Sequence, residues 1–523
     1  MSATTTPTRA RSRRLGALEL IWELAQPGSY ESWDHPVDLE AYEPGYRAEL
    51  EQAAGRSGAD EAVITGVGVI GGHRVALIVS EFGFLAGSIG RAAAARVVQA
   101  LERATAEGLP VLACPASGGT RMQEGTPAFL AMVRITAAVR AHKDAGLPYL
   151  VHLRHPTTGG VMASWGSLGH ITAAEPEALL GFLGPRVYQA LHGQDFPPGI
   201  QSAENLQAHG ILDTIVSLQE LGSFVTGVLD VVSAGRTSTG GTVTRSDRGR
   251  AQLPPPTPVW ESIIRTRLPE RPGIRQLLAA GAGDHVLLSG TTEGESDPHV
   301  IIGLVVIDGR GCVVVGHDRQ AEHEGPGPGP AALRTARRGM RLAQDLGLPL
   351  VTVIDTAGAE LSPSAEKGAL AGEIARCLSD LVGLGVPIVS VLLGQGTGGA
   401  ALALLPADRT VAAEHAWLAP LPPEGASAIV HRDLDHAPTM AQAQRVSTRD
   451  LLDLGAVDTV VPEGPVPMGT GPLTDRTFCQ AMVRAISIEL DRAADVPRPK
   501  RLEKRIARYD LHPALSEAGS SAS

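Results

Sequence analysis

A pair of adjacent glycines, Gly118 and Gly119, lies where a predicted strand gives way to a predicted helix. The apolar run at 111–114 predicts a buried strand, and residues 128–139 predict a helix. Glycine lets a backbone approach a ligand closely, and main-chain N–H groups at such a junction can stabilise a negatively charged oxygen. The junction therefore predicts an oxyanion hole, and a plain tight turn is the alternative.

The glycine junctions recur in the second half of the chain at a constant offset of roughly 239 positions, which indicates an internal duplication. Gly119 falls opposite Gly358, and the pair Gly159 and Gly160 falls opposite Gly398 and Gly399. The same offset relates Gly108-Leu109-Pro110 to Gly347-Leu348-Pro349 and Ala173-Ala174-Glu175 to Ala412-Ala413-Glu414. Each copy is thus predicted to carry two glycine junctions, so the chain can hold two oxyanions.

Catalysis by side chains is the alternative chemistry. Ser117 could act as a nucleophile with His142, His152 or His155 as its base, although the pattern favours a hydroxyl that caps the next helix. Asp355 ends a predicted strand, where it could be catalytic or could cap a turn. The sequence contains no G-x-S-x-G elbow, P-loop or H-E-x-x-H motif.

Composition excludes several classes of protein. The chain has 523 residues, 43% of them hydrophobic, and a net charge of −11, which argues against a nucleic-acid partner bound by charge. Its four cysteines are far apart in sequence, so we expect reduced, buried thiols and no metal site. The apolar run at 386–405 is interrupted by glycines, which predicts a strand, a loop and a helix rather than a membrane span.

Alternating strands and helices after a hairpin predict an α/β protein in both halves. The string Gly66–Gly71 has the spacing G-x-G-x-x-G, but a second strand follows it, so we predict a hairpin and not a dinucleotide site. A Ser/Thr/Gly/Arg-rich segment followed by prolines predicts a linker. The predicted boundaries are an N-terminal domain at 1–233, a linker at 234–258, a C-terminal domain at 259–500 and a tail at 501–523.

Long motifs in each half resemble a known family. In the first half they are Ser117-Gly118-Gly119-Thr120-Arg121-Met122-Gln123-Glu124-Gly125 and Pro156-Thr157-Thr158-Gly159-Gly160-Val161. In the second half they are Val353-Ile354-Asp355-Thr356-Ala357-Gly358-Ala359 and Gly394-Gln395-Gly396-Thr397-Gly398-Gly399-Ala400. The chain resembles the β and α subunits of acetyl-CoA carboxylase carboxyltransferase, fused as in actinobacterial acyl-CoA carboxylases.

The resemblance implies two crotonase-like domains in tandem, each with ββα units wound into a superhelix. It implies that the chain moves CO2 from carboxybiotin to acetyl-CoA or another short acyl-CoA. The acyl-CoA is held mainly by the first half and biotin mainly by the second. The expected catalytic residues, which supply backbone N–H groups to the enolate and biotin oxyanions, are Gly118, Gly119, Gly399 and Ala400. The expected substrate-binding residues are Ser117, Arg121, Gly159, Gly160, Gly358, Ala359, Gly398 and Leu402.

The implied partners are a biotin carboxylase and a carrier subunit that bears the biotin, together with further copies of the chain in a dimer or hexamer. A cytoplasmic location is expected, without membrane or nucleic acid. One departure is that the family's Asp-Thr-Pro-Gly is Asp355-Thr356-Ala357-Gly358 here. A biotin-dependent acyl-CoA decarboxylase and a non-catalytic carboxylase subunit therefore remain alternatives. A crotonase-type hydratase would need a carboxylate pair, and only Glu124 lies near the first junction.

Overall fold

The computed structural model describes residues 15–237, 255–324, 326–464 and 472–510. The chain divides into two compact units, Met1–Ala203 with Ile215–Thr226 and Glu204–Thr214 with Gly227–Ser523. The division at Thr226 falls within a helix that continues to Thr237, whereas the sequence places the domain end at residue 233. The domain limits stay a prediction, because most of the predicted linker and of the predicted tail lies outside the described residues.

The first unit is built on a seven-stranded sheet in the order β1-β2-β3-β4-β5-β7-β9, beside a two-stranded sheet of β6 and β8. Strands β2 and β3 form the antiparallel hairpin that the sequence predicts, and β3, β4, β5 and β7 run parallel. The strands are β1 Glu31–Ser32, β2 Val63–Ile70, β3 His73–Ser80, β4 Val111–Cys114, β5 Tyr149–Leu153, β6 Thr157–Thr158, β7 Ile171–Ala174, β8 Leu180–Gly181 and β9 Thr214–Ile215.

Helices with an apolar stripe, α1, α3 and α4 among them, contact this sheet. Helix α3, for example, buries Val97, Leu101 and Ala104 along one face and ends at Gly108, whose φ of 67° closes the last turn. The helices up to the end of α8 are α1 Ala17–Leu24, α2 Pro44–Ser57, α3 Arg91–Glu107, α4 Gly125–Asp144, α5 Gly159–Met162, α6 Pro185–His192, α7 Ala203–Ala208 and α8 Leu218–Thr237.

The second unit repeats the plan on an eight-stranded sheet in the order β10-β11-β12-β13-β14-β15-β17, with β16 paired to β14. Strands β10, β11 and β12 are antiparallel, and β12 to β15 run parallel. The strands are β10 Ala282–Leu288, β11 Val300–Ile307, β12 Arg310–His317, β13 Leu350–Thr356, β14 Ile388–Thr397, β15 Arg409–Ala413, β16 Trp417–Ala419 and β17 Thr459–Val461.

The remaining helices belong to the second unit, where some contact the sheet and others, such as α17 and α20, contact neighbouring helices. They are α9 Val259–Thr266, α10 Ile274–Gly281, α11 Arg319–Glu324, α12 Pro330–Leu346, α13 Pro363–Lys367, α14 Leu370–Gly383, α15 Gly398–Leu402, α16 Pro423–Val430, α17 Ala437–Ala443, α18 Thr448–Asp453, α19 Pro472–Ala494 and α20 Arg498–Ala507. The apolar run at 386–405 contains the predicted strand and helix, but the predicted loop between them is absent, because β14 continues to Thr397 and α15 begins at Gly398. None of the helices in the described ranges has the length and apolar character that crossing a bilayer requires.

The duplication that the sequence predicts is present in the fold. Helices α3 and α12 begin at Arg91 and Pro330 and end at Glu107 and Leu346, so both ends keep the offset of 239. The short helices α5 and α15 begin at Gly159 and Gly398, with the same offset. Both of these glycines have a φ of 65°. The two units therefore repeat not only their elements but also the backbone conformation at the second glycine junction.

Candidate functional site

The second glycine junction of the first unit presents two adjacent backbone donors. The N–H of Gly159 donates to the carbonyl of Phe182 at 2.9 Å. The next two N–H groups, of Gly160 and Val161, donate no hydrogen bond among the described residues. They begin helix α5, where the first N–H groups have no intrahelical acceptor. Two consecutive N–H groups in this part of the first unit are therefore without an acceptor among the described residues.

The first junction does not offer its donors in the same way, which corrects the expectation for Gly118 and Gly119. The N–H of Gly118 donates to the carbonyl of Ala86 at 2.9 Å. The N–H of Gly119 donates to the Ser117 hydroxyl at 3.0 Å. Because both N–H groups are already used within the protein, neither is available to a substrate oxygen in this conformation.

Gly118 and Gly119 instead bring one loop against the other. Gly119 has a φ of 110°, and a Cβ added there would lie 3.3 Å from both the Gly159 Cα and the Gly160 nitrogen. The N–H of Thr158 donates to the carbonyl of Ser117 at 2.8 Å across the same contact. The absence of side chains thus permits the close approach that holds the start of α5 in place.

The second unit also has two consecutive N–H groups that lack an acceptor in the described ranges, and we call such groups open donors. Helix α15 begins with Gly398 and Gly399, and Thr397 precedes it as the N-cap. The N–H groups of Gly399 and Ala400 donate no hydrogen bond within the described part of the chain. These two residues lie 239 positions after Gly160 and Val161. Leu402, at the end of this helix, is 44% exposed.

The first junction of the second unit is also a closed turn. The N–H of Gly358 donates to the Thr356 hydroxyl at 3.1 Å, as the N–H of Gly119 does to Ser117. Ala359 follows this turn, and the N–H of Glu360 then donates to the carbonyl of Pro328. The N–H of Gly358 is therefore occupied as well, and the turn supports the neighbouring strand end through the pairing of Thr356 with Gly396.

A partly buried carboxylate, that of Glu322, accepts the N–H of Ala357 in this turn. Glu322 Oε2 lies 3.0 Å from the nitrogen of Ala357, while its Oε1 is buried and accepts no hydrogen bond from the described residues. Burial raises the pKa of Glu322 from 4.5 to about 7, and the negative charge of Asp355 adds to the effect. Hydrogen bonds from Thr356 and Ala357 and the charge of His299 oppose it.

Arg121 is a structural residue, which corrects its expected role in substrate binding. Its side chain is fully buried, and its guanidinium donates to both carboxylate oxygens of Glu61 and to the carbonyl of Ser88. Tyr46 accepts a further hydrogen bond at 3.3 Å. A guanidinium enclosed in this way cannot reach a CoA phosphate.

The side chains proposed for nucleophilic catalysis do not come together. The buried Ser117 hydroxyl donates to the carbonyl of Gly87 and forms a turn with Gly119, so it neither caps the next helix nor contacts a histidine. His142 pairs with the Thr105 hydroxyl, and His152 with the carbonyl of Val216. His155 accepts the N–H of Leu179.

Asp355 and Glu124 also have structural roles. Asp355 is buried, forms an ion pair with Arg319 at 3.0 Å and accepts the N–H of Gln395. Glu124 accepts the N–H of Arg91 at 2.7 Å and the hydroxyl of Tyr46 at 2.8 Å. The carboxylate pair that a hydratase needs is thus not formed by Glu124 in this conformation.

The four cysteines are buried and form no disulfide. Burial raises the pKa of each thiol, of Cys114, Cys312, Cys377 and Cys479, to about 12. Thiols with such pKa values stay protonated near neutral pH and are poor nucleophiles and ligands. They fill the core, as the sequence predicts.

Sequence reasoning missed two residues. Val161 carries an open donor, and the duplication was a signal for it, because Val161 lies opposite the expected residue Ala400. Glu322 accepts the N–H of Ala357, which follows it by 35 positions. No sequence signal identified that contact.

Comparisons with known proteins agree over most of the chain. A family model described as the carboxyl transferase domain matches residues 14–460. The chain is 53% identical over 485 residues to the probable biotin-dependent acyl-coenzyme A carboxylase beta3 subunit of Mycobacterium bovis, covering 92% of this chain and 95% of that protein. It is 35% identical over 516 residues to the acetyl-coenzyme A carboxylase carboxyl transferase subunits beta/alpha of Salinispora arenicola, covering 95% and 90%.

A solved structure supports the fold. Transcarboxylase 12S, a hexamer crystallised with methylmalonyl-coenzyme A and methylmalonic acid, matches with a TM-score of 0.69 and 20% identity over 90% of each chain. At this identity the likeness concerns the fold alone. It confirms the predicted α/β fold of two crotonase-like domains, and the relatives confirm the family resemblance.

Proposed function

We propose that this chain, which belongs to the carboxyl transferase domain family, is the carboxyltransferase subunit of a biotin-dependent acyl-CoA carboxylase. The names of its relatives support the reaction class. Within that class we propose acetyl-CoA or another short acyl-CoA as the acceptor, so that malonyl-CoA is the product. The apolar Leu402 beside the second pair of donors is the residue that favours a short, uncharged acyl group.

The observation that carries the proposal is the pair of open donors in each unit. Removal of an α-proton from an acyl-CoA moves negative charge onto the thioester oxygen. The N–H groups of Gly160 and Val161 would donate to that oxygen and stabilise the charge as it develops. The carrier subunit would deliver carboxybiotin, and negative charge develops on the ureido oxygen of biotin as CO2 leaves. The N–H groups of Gly399 and Ala400 would donate to that oxygen.

The closed turns have a supporting part in this proposal. The turn at Ser117–Gly119 fixes the start of α5, and the turn at Thr356–Gly358 pairs with the end of β14, which precedes α15. Despite the departure from the family motif, the N–H of Gly358 donates to the Thr356 hydroxyl, as the N–H of Gly119 donates to the Ser117 hydroxyl. This favours an active subunit over a non-catalytic one.

The remaining parts of the proposal follow the family. A biotin carboxylase and a biotin carrier subunit act as partners, and the chain forms a homo-oligomer, as a dimer or a hexamer. A cytoplasmic location and a role in fatty acid biosynthesis, within an ATP-dependent complex, belong to the same proposal.

The test is the reverse half-reaction, which needs no partner subunit. The purified chain is incubated with free biotin or biocytin and with malonyl-CoA or methylmalonyl-CoA, and released acetyl-CoA or propionyl-CoA is measured. We expect biotin-dependent release, faster with malonyl-CoA. A folded oligomer that binds CoA esters but releases neither product would contradict the proposal.

A variant tests the donors themselves. Val161→Pro removes one open N–H and no existing hydrogen bond, and the first turn of a helix tolerates proline. Loss of one oxyanion donor lowers kcat by about 10²- to 10³-fold, and we expect KM for the CoA ester to change little. Gly45→Pro is the control, because Gly45 lies in the first turn of α2 with open space around it.

A further inference from the structure

A cavity of about 420 Å³ in the second unit is lined mainly by basic side chains. It lies beside the starts of β15 and β17, the end of α19 and one face of α20. Its lining residues are Asp408, Arg409, Gly455, Asp458, Arg492, Ala493, Val496, Arg501, Lys504 and Arg508. None of them belongs to the glycine junctions, so the cavity is distinct from the donors described above.

The cavity carries an excess of positive charge in an acidic chain. Five lining residues are basic and two, Asp408 and Asp458, are acidic. Behind the wall, Glu489 is completely buried and pairs with Arg409 at 2.5 Å and with Arg492 at 2.7 Å. Even with this third carboxylate counted, the positive charges exceed the negative ones, whereas the whole chain has a net charge of −11.

The two lining carboxylates are already satisfied by the protein. Asp408 accepts two hydrogen bonds from Arg505, at 2.9 and 2.8 Å, and one from the N–H of Ile388. Asp458 pairs with Arg409 at 2.8 Å and with Arg508 at 2.9 Å. These contacts, with the approach of the Arg501 Nε atom to Asp408 at 3.6 Å, offset part of the positive charge, and five basic lining residues still exceed three carboxylates.

One basic group of the lining has no carboxylate partner among the described residues. The Nε atom of Arg501 is buried and lies 3.6 Å from Asp408, and the guanidinium of Arg508 pairs with Asp458. Lys504 is exposed and forms no ion pair within the same part of the chain. Burial, together with the neighbouring charges of Arg505 and Arg498, lowers the pKa of Arg501 despite the opposing effect of Asp408. The exposed ammonium of Lys504 and the excess of cations over carboxylates thus make the cavity attractive to an anion.

We infer that this cavity binds a small molecule that carries a phosphate group or a pyrophosphate group. Guanidinium and ammonium groups are the side chains that proteins use for phosphate oxygens. A cavity of this size falls within the range of small-molecule sites. Ala493 and Val496 form an apolar part of the wall, which suits an organic group attached to the phosphates.

Two sources share this chemistry, free pyrophosphate and a nucleoside diphosphate, and calorimetry distinguishes them. The full-length protein, in its purified oligomeric form, is titrated with sodium pyrophosphate and separately with ADP. Similar affinity for both assigns the site to the phosphates alone. Tighter binding of ADP that is lost in Val496→Ser assigns it to a nucleoside diphosphate.

Charge variants locate the binding. Lys504→Glu and Arg492→Gln alter exposed or half-exposed side chains at the cavity, and each is expected to weaken binding at least tenfold. Arg341→Glu is the control, because Arg341 is an exposed residue of α12 outside the cavity and its replacement makes the same change in net charge as Lys504→Glu. We expect this control to bind within twofold of the wild-type protein.

Three results would overturn the inference. The first is the absence of binding heat for both probes at millimolar concentration. The second is unchanged affinity in Lys504→Glu and Arg492→Gln. The third is an equal loss in Arg341→Glu, which would indicate only a general charge effect. If acyl-CoA displaces the probe while Lys504→Glu binds normally, the probe occupies the acyl-CoA site, and the inference is likewise wrong.

Discussion

Replacing Glu322 by glutamine should change how the stability of the protein depends on pH. Glutamine keeps a side-chain oxygen that can accept the N–H of Ala357, but it carries no charge at any pH. The burial that raises the pKa of Glu322 to about 7 in the folded protein is absent in the unfolded chain, where the pKa is near 4.5. The carboxylate form is therefore disfavoured by folding.

The size and sign of the effect follow from these two values. At pH values below the pKa of the unfolded chain, Glu322 is protonated in both the folded and the unfolded protein, and its burial does not lower the free energy of unfolding. As pH rises through the interval between the two values the unfolded chain ionises first, so stability falls. Above the folded pKa the full cost is present, and at about 1.4 kcal/mol for each unit of pKa it amounts to about 3 kcal/mol.

The measurement is urea unfolding of the wild-type protein and of Glu322→Gln at pH 5 and pH 8. The variant should be more stable by about 1 kcal/mol at pH 5, where the unfolded chain is already partly ionised, and by about 3 kcal/mol at pH 8. The pKa of His299 is raised mainly by its hydrogen bond to Asp297 and also by the charge of Glu322, so the difference between the two proteins reports Glu322 together with its interaction with His299. Glu51→Gln, at an exposed position of α2, is the control.

Two outcomes would refute this reasoning. A stability difference that is the same at both pH values would show that Glu322 ionises in the folded protein as it does in the unfolded chain. A variant that is less stable at pH 8 than the wild-type protein would show that the carboxylate stabilises the turn more strongly than its burial costs.

The remaining predictions concern the first unit. Arg121→Met leaves the carboxylate of Glu61 buried without its partner, so it should cost about 3–5 kcal/mol of unfolding free energy, and Glu61→Leu in the same chain should restore most of it. A selective rise in KM for the CoA ester without loss of stability would contradict this. Gly119→Ala should lower kcat at least tenfold because its Cβ would push against Gly159. Gly72→Ala, also at positive φ but in open space, should keep its activity.

The fold could be predicted largely because the constant spacing of small residues reveals the duplication. Gly108 and Gly347 both have a φ of 67°, which glycine adopts without steric cost, and these positions keep their register over both copies. The apolar runs between them then define the parallel strands. The domain limits were less accessible, because one helix, α8, continues through the division at Thr226.

The donors could be predicted only in part, because sequence shows which residues are adjacent in the chain and not which N–H groups are already bonded. The acceptor for Gly119 is the hydroxyl of Ser117 two residues before it, and the acceptor for Gly118 comes from Ala86. Arg121 carried a similar ambiguity, since its partner Glu61 lies 60 positions away. A basic residue beside a glycine motif resembles a phosphate ligand until its counter-ion is known.

The two copies differ chemically at one equivalent position, which links the departure from the family motif to Glu322. In the first unit the N–H that follows Ser117 is accepted by a backbone carbonyl, which never changes charge. In the second unit the N–H that follows Thr356 donates to the carboxylate of Glu322, whose charge changes with pH.

A proline in place of Ala357, as in the family motif, would have no N–H to donate. Glu322 would then lose an interaction that lowers its pKa, and its carboxylate form would become still less favourable. The alanine and the partly buried glutamate are therefore coupled. Ala357→Pro should raise the pKa of Glu322 further, so in urea unfolding the fall in stability should begin at the same pH, continue to higher pH and be larger than in the wild-type protein.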